Sequence, residues 1–265
     1  TLDQAGLFTA TSYAGSGANL TNLPSTSTAD ILTATTIQKT ATSNIGLGAN
    51  AVNSITTGDR NVGLGDNSGT AITSGENNVS VGHDSLKDNT TGSHNVAVGK
   101  EAGKLNTTGG SNSSLGAGAL FTNTTGGNNT AIGDSALNSA TTASNNTAVG
   151  GSALRATTTS PNNVGVGKDS LLTMTSGSGM NTAVGVGSLK LLTTGANNTA
   201  TGFEALNANT TAENNTAVGY RALKVNQTGA DNTAVGYEAL PANLTGGNTA
   251  VGKQSQRVTT TGASN

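Results

Sequence analysis

The chain has 265 residues, of which 2% are aromatic and 10% are charged, with a formal net charge of −2 and no cysteine. It holds too few large side chains for an ordinary globular core, and its low net charge and 3 prolines are atypical of disorder. The charge balance gives no electrostatic footprint for nucleic acid, and the lack of cysteine excludes disulfides and thiolate metal sites. No stretch of about 18 apolar residues occurs, so no membrane insertion is expected.

Residues 1–43 follow no repeat, and we predict that they form an N-terminal connector or cap for the array behind them. They contain scattered apolar residues and a Ser/Thr-rich stretch that ends at Thr28. The chain begins at Thr1 and ends at Asn265 inside the repeat pattern, so we expect it to be a piece of a longer protein.

Residues 44–265 consist of a unit that recurs every 17 residues, with one step of 18 and one of 16. The extra residue, near Ser178, and the missing one, near Gly247, are predicted to lie in a loop. Each unit is marked by a glycine that closes a short apolar segment, and we call it the anchor glycine. The thirteen anchors are Gly48, Gly65, Gly82, Gly99, Gly116, Gly133, Gly150, Gly167, Gly185, Gly202, Gly219, Gly236 and Gly252.

An asparagine stands four residues before every anchor, without exception. We predict that these side chains form a structural ladder through the stack, each amide bonding to the next coil. The ladder contains Asn44, Asn61, Asn78, Asn95, Asn112, Asn129, Asn146, Asn163, Asn181, Asn198, Asn215, Asn232 and Asn248.

The residues around each anchor predict one coil of a solenoid. Aliphatic or β-branched residues stand one and three positions before the anchor in every unit, except that Ser113 stands three before Gly116, and Gly, Ala or Ser lies between them. This alternation indicates a short strand. A Leu four positions after the anchor belongs to a second short strand or turn, and Asn-Thr-Thr-Gly closes the coil. The fold class predicted is therefore all-β: a parallel β-solenoid, or β-roll, of about thirteen coils stacked about 4.7–4.9 Å apart.

A single copy of this solenoid has few apolar side chains with which to offset the entropy cost of folding. Each coil offers about two sizeable apolar side chains, one Val-type and one Leu, and burying each contributes about 1.5–3 kcal/mol. Ordering the coil costs roughly 25 kcal/mol. We therefore expect the apolar stripes of several copies to be buried together, and we predict an intertwined or side-by-side homotrimer.

The segment Asn95–Gly99, with near copies at Asn129–Gly133 and Asn232–Gly236, resembles the N-S-V-A-I-G core repeat of YadA-like trimeric autotransporter heads. The resemblance covers residues 44–265 and implies a trimeric, left-handed parallel β-roll that binds host surface molecules. The unit here is longer than the family's, by the Leu-x-x-N-T-T-G segment.

The array is also similar to long repeats in phage tail-fibre proteins, particularly those of cyanophages. Residues Gly15–Pro24 look like a G-S-G-L-T-N-L-P segment common in such fibres, here with Ala18 and Asn19 inserted. This second resemblance implies a place in a virion tail fibre, beside other fibre or baseplate proteins.

No catalytic residue, cofactor site or metal site is predicted, and we expect no enzymatic activity. The two histidines, His83 and His94, occupy positions expected at the surface, whereas a metal site needs three or four convergent ligands. The glycine-rich segments lack the Lys-Ser/Thr of a phosphate-binding loop. The repeat itself accounts for the Asn-x-Thr glycosylation sequons at Asn89, Asn106, Asn123 and Asn209.

Charged residues concentrate two and five positions after the anchors, and both positions are predicted to face water. Three aromatic residues, Phe203, Tyr220 and Tyr237, stand one position after consecutive anchors. They are predicted to stack as a ladder of three rings. They are also the candidate surface contact for a glycan or another fibre part.

The leading functional prediction is a structural fibre segment of a virion tail fibre that spaces or presents host-receptor binding. Its expected partners are its own copies, fibre or baseplate proteins, and a host cell-surface glycan or protein. One alternative is a trimeric adhesin head on the extracellular surface of a bacterium. A second is an ice-binding β-solenoid, which the adjacent Thr-Thr pairs do not favour because neighbouring residues in a strand point to opposite faces.

Overall fold

The computed structural model describes residues 43–256, and within this range the chain is a parallel β-solenoid with coils of about 17 residues. The Gly15–Pro24 segment and all of the predicted connector except Ser43 lie outside the described residues. The thirteen strands are β1 (Ile45–Leu47), β2 (Val62–Leu64), β3 (Val79–Val81), β4 (Val96–Val98), β5 (Ser113–Leu115), β6 (Thr130–Ile132), β7 (Thr147–Val149), β8 (Val164–Val166), β9 (Thr182–Val184), β10 (Thr199–Thr201), β11 (Thr216–Val218), β12 (Thr233–Val235) and β13 (Thr249–Val251).

The strands form one sheet in chain order, each paired in parallel with the next. The pairing keeps equivalent residues opposite one another, so that Ala131 faces Ala148 across β6 and β7. The 18-residue and 16-residue units do not disturb this register, since Gly165 still pairs with Ala183 and Ala234 with Ala250. Their length changes are therefore absorbed between the strands, as the sequence predicts for a loop.

Each strand turns its small central residue inward and its two larger residues outward. Ala97 and Ala131 are fully buried, whereas Val96 is 42% exposed and Ile132 is 38% exposed. The Val-type side chain therefore does not fill the interior of the coil. The interior is too narrow for it: a Cβ added at Gly165 would lie 3.2 Å from Leu154 Cγ, on the opposite wall.

The core consists of leucines packed against alanines and serines. Leu137, Leu154 and Leu171 are fully buried four positions after their anchors. They adopt positive φ angles of 49°, 52° and 51°, which are rare for a bulky residue. Hydrogen bonds between coils hold this conformation, as when Leu154 N donates to Ser170 O at 2.9 Å. The chain thus turns sharply enough to direct the Leu inward without a second strand in the coil.

The anchor glycines stack directly on one another. Gly99 has a φ of 134°, and a Cβ added to it would lie 2.6 Å from Gly116 O in the next coil. Both the backbone conformation and the close approach require glycine. This explains why the anchor is the most regular feature of the repeat besides the asparagine.

Candidate functional site

The predicted asparagine ladder is present in the interior, where its role is structural. Asn112 N donates to Asn95 Oδ1 at 3.0 Å, and Asn95 Nδ2 donates to Gly109 O at 2.9 Å. The side-chain oxygen of each asparagine therefore accepts a hydrogen bond from the backbone N–H of the next asparagine, one coil further on. The same backbone contact joins Asn129, Asn146, Asn163, Asn181, Asn198, Asn215 and Asn232 in turn, at 2.9–3.1 Å.

A second buried asparagine ladder, which sequence reasoning missed, stands seven positions after the anchor. Asn106 Nδ2 donates to Asn89 Oδ1 at 2.7 Å, and Asn123 Nδ2 donates to Asn106 Oδ1 at 2.6 Å. The signal was in the sequence, since asparagine fills this position in two runs of three consecutive units. Three of the noted sequons fall on this ladder and the fourth, Asn209, occupies the same position and is equally buried. None of these four side chains is accessible for glycosylation in the folded coil.

The three aromatic rings form a continuous stack on the surface. The centroids of Phe203 and Tyr220 are 5.4 Å apart with planes at 11°, and those of Tyr220 and Tyr237 are 5.1 Å apart at 8°. The guanidinium of Arg221 lies 4.8 Å from the Tyr220 centroid. Because the rings cover one another's faces, the middle of the stack offers mainly ring edges to a partner.

The charged positions are less uniformly exposed than predicted. The Asp84 side chain is only 7% exposed and lies 3.0 Å from Lys104 Nζ and 3.6 Å from Lys87 Nζ. Burial raises the pKa of Asp84, but hydrogen bonds from Lys104 and Asn67 and the two lysine charges outweigh it, lowering the pKa to about 2. The prediction that this position faces water is thus wrong for Asp84, because Lys87 of its own coil and Lys104 of the next coil cover it.

A second ion network lies beside the aromatic stack. Glu204 Oε2 accepts from Arg221 Nε at 2.9 Å and contacts Lys224 Nζ at 2.8 Å. The hydrogen bond from Lys224, followed by that from Arg221, lowers the pKa of Glu204 despite partial burial. Glu204 is therefore held as a carboxylate next to Phe203.

Two shallow hollows, each of about 340 Å³, open on the surface that carries the charged columns. One surrounds Gly187 and the other Gly118, and we call them the Gly187 hollow and the Gly118 hollow. The Gly187 hollow is lined by Asp169, Val186, Gly187, Lys190, Leu191, Phe203, Glu204 and Asn207. The Gly118 hollow is lined by Lys100, Glu101, Ala117, Gly118, Phe121, Asp134, Ser135 and Asn138.

Within residues 43–256, no group of three or more His, Asp or Glu residues could hold a metal ion. His94 Nε2 lies 3.4 Å from Asn77 Nδ2, and His83 Nε2 lies 3.8 Å from Asp84 Oδ1. The same part of the chain contains no helix long and apolar enough to cross a membrane. Compared with protein-family models, curated proteins and solved structures, the chain matches none.

Proposed function

We propose that this chain is a structural segment of a homotrimeric fibre, in which three copies pack through the outer face of the sheet. The observation that carries the proposal is the exposure of that face. One position before the anchors, Leu115, Ile132, Val184 and Val218 are 37–49% exposed. Aliphatic residues at this position in every coil except that of Thr201 form an extended apolar surface, and such surfaces mark protein–protein contacts.

The regularity of the stack supports a shaft. Thirteen strands follow one another in register, and the asparagine ladder continues through both irregular units. A solenoid whose coils repeat without interruption keeps the same surface along its length, so each coil of one copy meets an equivalent coil of another. The resemblance to phage tail fibres supports a place in the virion, beside other fibre or baseplate proteins. A bacterial surface adhesin is the alternative place.

Light scattering after size-exclusion chromatography tests the trimer. We expect a mass three times the 25.8 kDa of the chain. Ile132→Lys puts a charge on the proposed interface, whereas Ser135→Lys puts the same charge on the charged surface three residues away. Only the first should yield monomers, with the strand signal in circular dichroism retained. A wild-type protein that is folded and monomeric would end the proposal.

Location is tested separately. Antibodies against residues 44–265 should label fibres on purified virions in electron micrographs. Labelling of bacterial cell surfaces instead would support the adhesin alternative.

One observation favours a second candidate, ice binding. The outward residue three positions before the anchor is threonine in β6, β7 and β9 to β13, and a β-branched residue follows two positions later in each of these strands. This gives two outward ranks with repeats of about 4.8 Å between strands and roughly 7 Å within a strand. These strand threonines are not the adjacent Thr-Thr pairs of the sequence analysis. Those pairs lie in the turn that closes each coil, where for example Thr107 Oγ1 donates to Thr124 O at 2.9 Å.

The trimer and the ice-binding array need the same face, so they are exclusive. Thermal hysteresis at micromolar concentration by a monomer would establish the second candidate, and Thr199→Lys should abolish it. A trimer without thermal hysteresis would exclude it.

A further inference from the structure

We propose that the Gly187 hollow binds one neutral sugar ring of a glycan chain, with the apolar face of the sugar against Phe203. This adds a recognition site to the side of the solenoid and does not depend on the oligomeric state.

The hollow exists because one side chain is missing from a column. The residue two positions after the anchor has a positive φ in every described coil, yet it is usually not glycine: Asp84, Glu101, Ser135 and Glu204 have φ angles of 52–58° there. The backbone therefore does not require glycine at this position. Glycine occurs there in only two of the described coils, at Gly118 and Gly187, and these are the two coils that contain the hollows.

The same partner residue accompanies both glycines. Twenty residues after each stands an asparagine in the next coil. Asn207 Nδ2 donates to Gly187 O at 2.8 Å, and Asn138 Nδ2 donates to Gly118 O at 3.0 Å. This hydrogen bond holds the side-chain amide of each asparagine in one orientation. Within residues 43–256, the Oδ1 of Asn207 receives no hydrogen bond and remains an acceptor for a ligand.

The aromatic stack ends at this hollow. Tyr220 covers one face of Phe203. All residues of the hollow come from the Phe203 coil and the two coils before it, so the hollow lies on the face of Phe203 that Tyr220 does not cover. In place of a fourth ring, the preceding coil has Val186, a smaller side chain. The negative face of an aromatic ring attracts the weakly positive C–H groups of a sugar.

The rim of the hollow matches the hydroxyl groups of a sugar. Asp169 and Glu204 supply carboxylates, Lys190 an ammonium group and Asn207 an amide oxygen. Lys190 Nζ lies 3.5 Å from Asp169 Oδ2, so two of these charges balance each other. A few polar groups around an apolar wall are typical of small-ligand sites. The near balance of charge favours a neutral sugar over an anionic one.

The Gly118 hollow is the weaker counterpart. Its ring, Phe121, already has the ammonium of Lys104 over it, 5.6 Å from the centroid. A sugar would have to displace this contact. Phe203 also has a cation near its ring, the Arg221 guanidinium 5.9 Å from the centroid, but Arg221 belongs to the Tyr220 coil and does not line the Gly187 hollow. We therefore assign the site to the Gly187 hollow.

Saturation-transfer NMR with neutral hexose and N-acetylhexosamine oligosaccharides tests the site. We expect at least one of them to bind with a millimolar Kd. Gly187→Gln should weaken binding about tenfold or more by filling the hollow, and the backbone tolerates Gln because Gln254 holds the same position with a φ of 55°. The matched control, Ser152→Gln, places the same side chain in that column of a coil that does not line the Gly187 hollow and should bind as the wild type does.

A second pair of variants separates ring contact from ring stacking. Phe203→Ala and Tyr237→Ala each remove one end of the stack, but only the first removes a wall of the hollow. Only Phe203→Ala should lose binding. Absence of binding to the whole panel, or equal binding by Gly187→Gln and the wild type, would overturn the proposal. Light scattering on the same samples keeps this outcome distinct from failure of the trimer.

Discussion

The backbone N–H of Asn146 donates to Oδ1 of Asn129 at 3.0 Å, one coil away and fully inside the solenoid. The Nδ2 of Asn129 in turn donates a hydrogen bond to Ala143 O at 2.8 Å. One asparagine therefore satisfies a buried donor of the next coil and a buried acceptor of its own turn. Water cannot replace either partner, which explains why no unit departs from asparagine at this position.

Asn129→Ala should be strongly destabilising, because it leaves the N–H of Asn146 and the carbonyl of Ala143 buried without partners. Each unsatisfied group costs about 1–3 kcal/mol. Urea unfolding measures the loss, and hydrogen exchange should place it in the adjacent coils. Asn138→Ala, at a partly buried asparagine on the surface, should cost less than about 1 kcal/mol. Equal effects of the two changes would contradict a special role for the ladder.

Gly150→Ala should disrupt the stack at the anchor. The added Cβ would lie 2.7 Å from the carbonyl carbon of Gly167 at a φ of 132°, and neither backbone can move without breaking the register. Gly151→Ala is the matched control, because a Cβ there meets nothing within 4 Å. We expect a large loss of thermal stability for the first variant and little change for its neighbour.

The sequence predicts the period, the parallel stacking, the asparagine ladder and the position of the loops, because each leaves a mark at a fixed place in every unit. It does not predict which side of the strand is buried. Val and Thr in a strand suit an interior as well as a contact between subunits, and only the distance to the opposite Leu excludes them from the interior. The Gly187 hollow was equally hidden, since it depends on residues from three coils.

Leu137→Ala and Ile132→Ala distinguish the apolar residues of the core from those on the outer face of the sheet. Leu137 is fully buried, so its truncation should cost about 2–5 kcal/mol at any protein concentration. Ile132 lies on the outer face, and its truncation should matter only where copies associate. Unfolding measured over a range of protein concentrations separates the effects, since association makes stability concentration-dependent. A large, concentration-independent loss for Ile132→Ala would contradict an outward position.

Acid should weaken the solenoid through Asp84. Its pKa in the folded state, about 2, lies below the ordinary value of 3.8. The stabilisation is therefore complete above the unfolded pKa and is lost as the pH falls from about 4 through about 2. The difference corresponds to about 2 kcal/mol. Asp84→Asn should flatten the pH dependence of the unfolding free energy in this window, and an unchanged dependence in this variant would contradict the prediction.

Tyr220 occupies the centre of the aromatic stack, so Tyr220→Ser should break both ring contacts at once. Each stacked pair contributes about 0.5–1.5 kcal/mol beyond its buried area, and the Arg221 guanidinium loses its ring as well. Tyr220→Phe retains the ring and should unfold like the wild type. Val186→Ser, in the same column but outside the stack, measures the cost of the polar substitution alone. If Tyr220→Ser were no more destabilising than Val186→Ser, the rings would lie side by side without stabilising the coils that carry them.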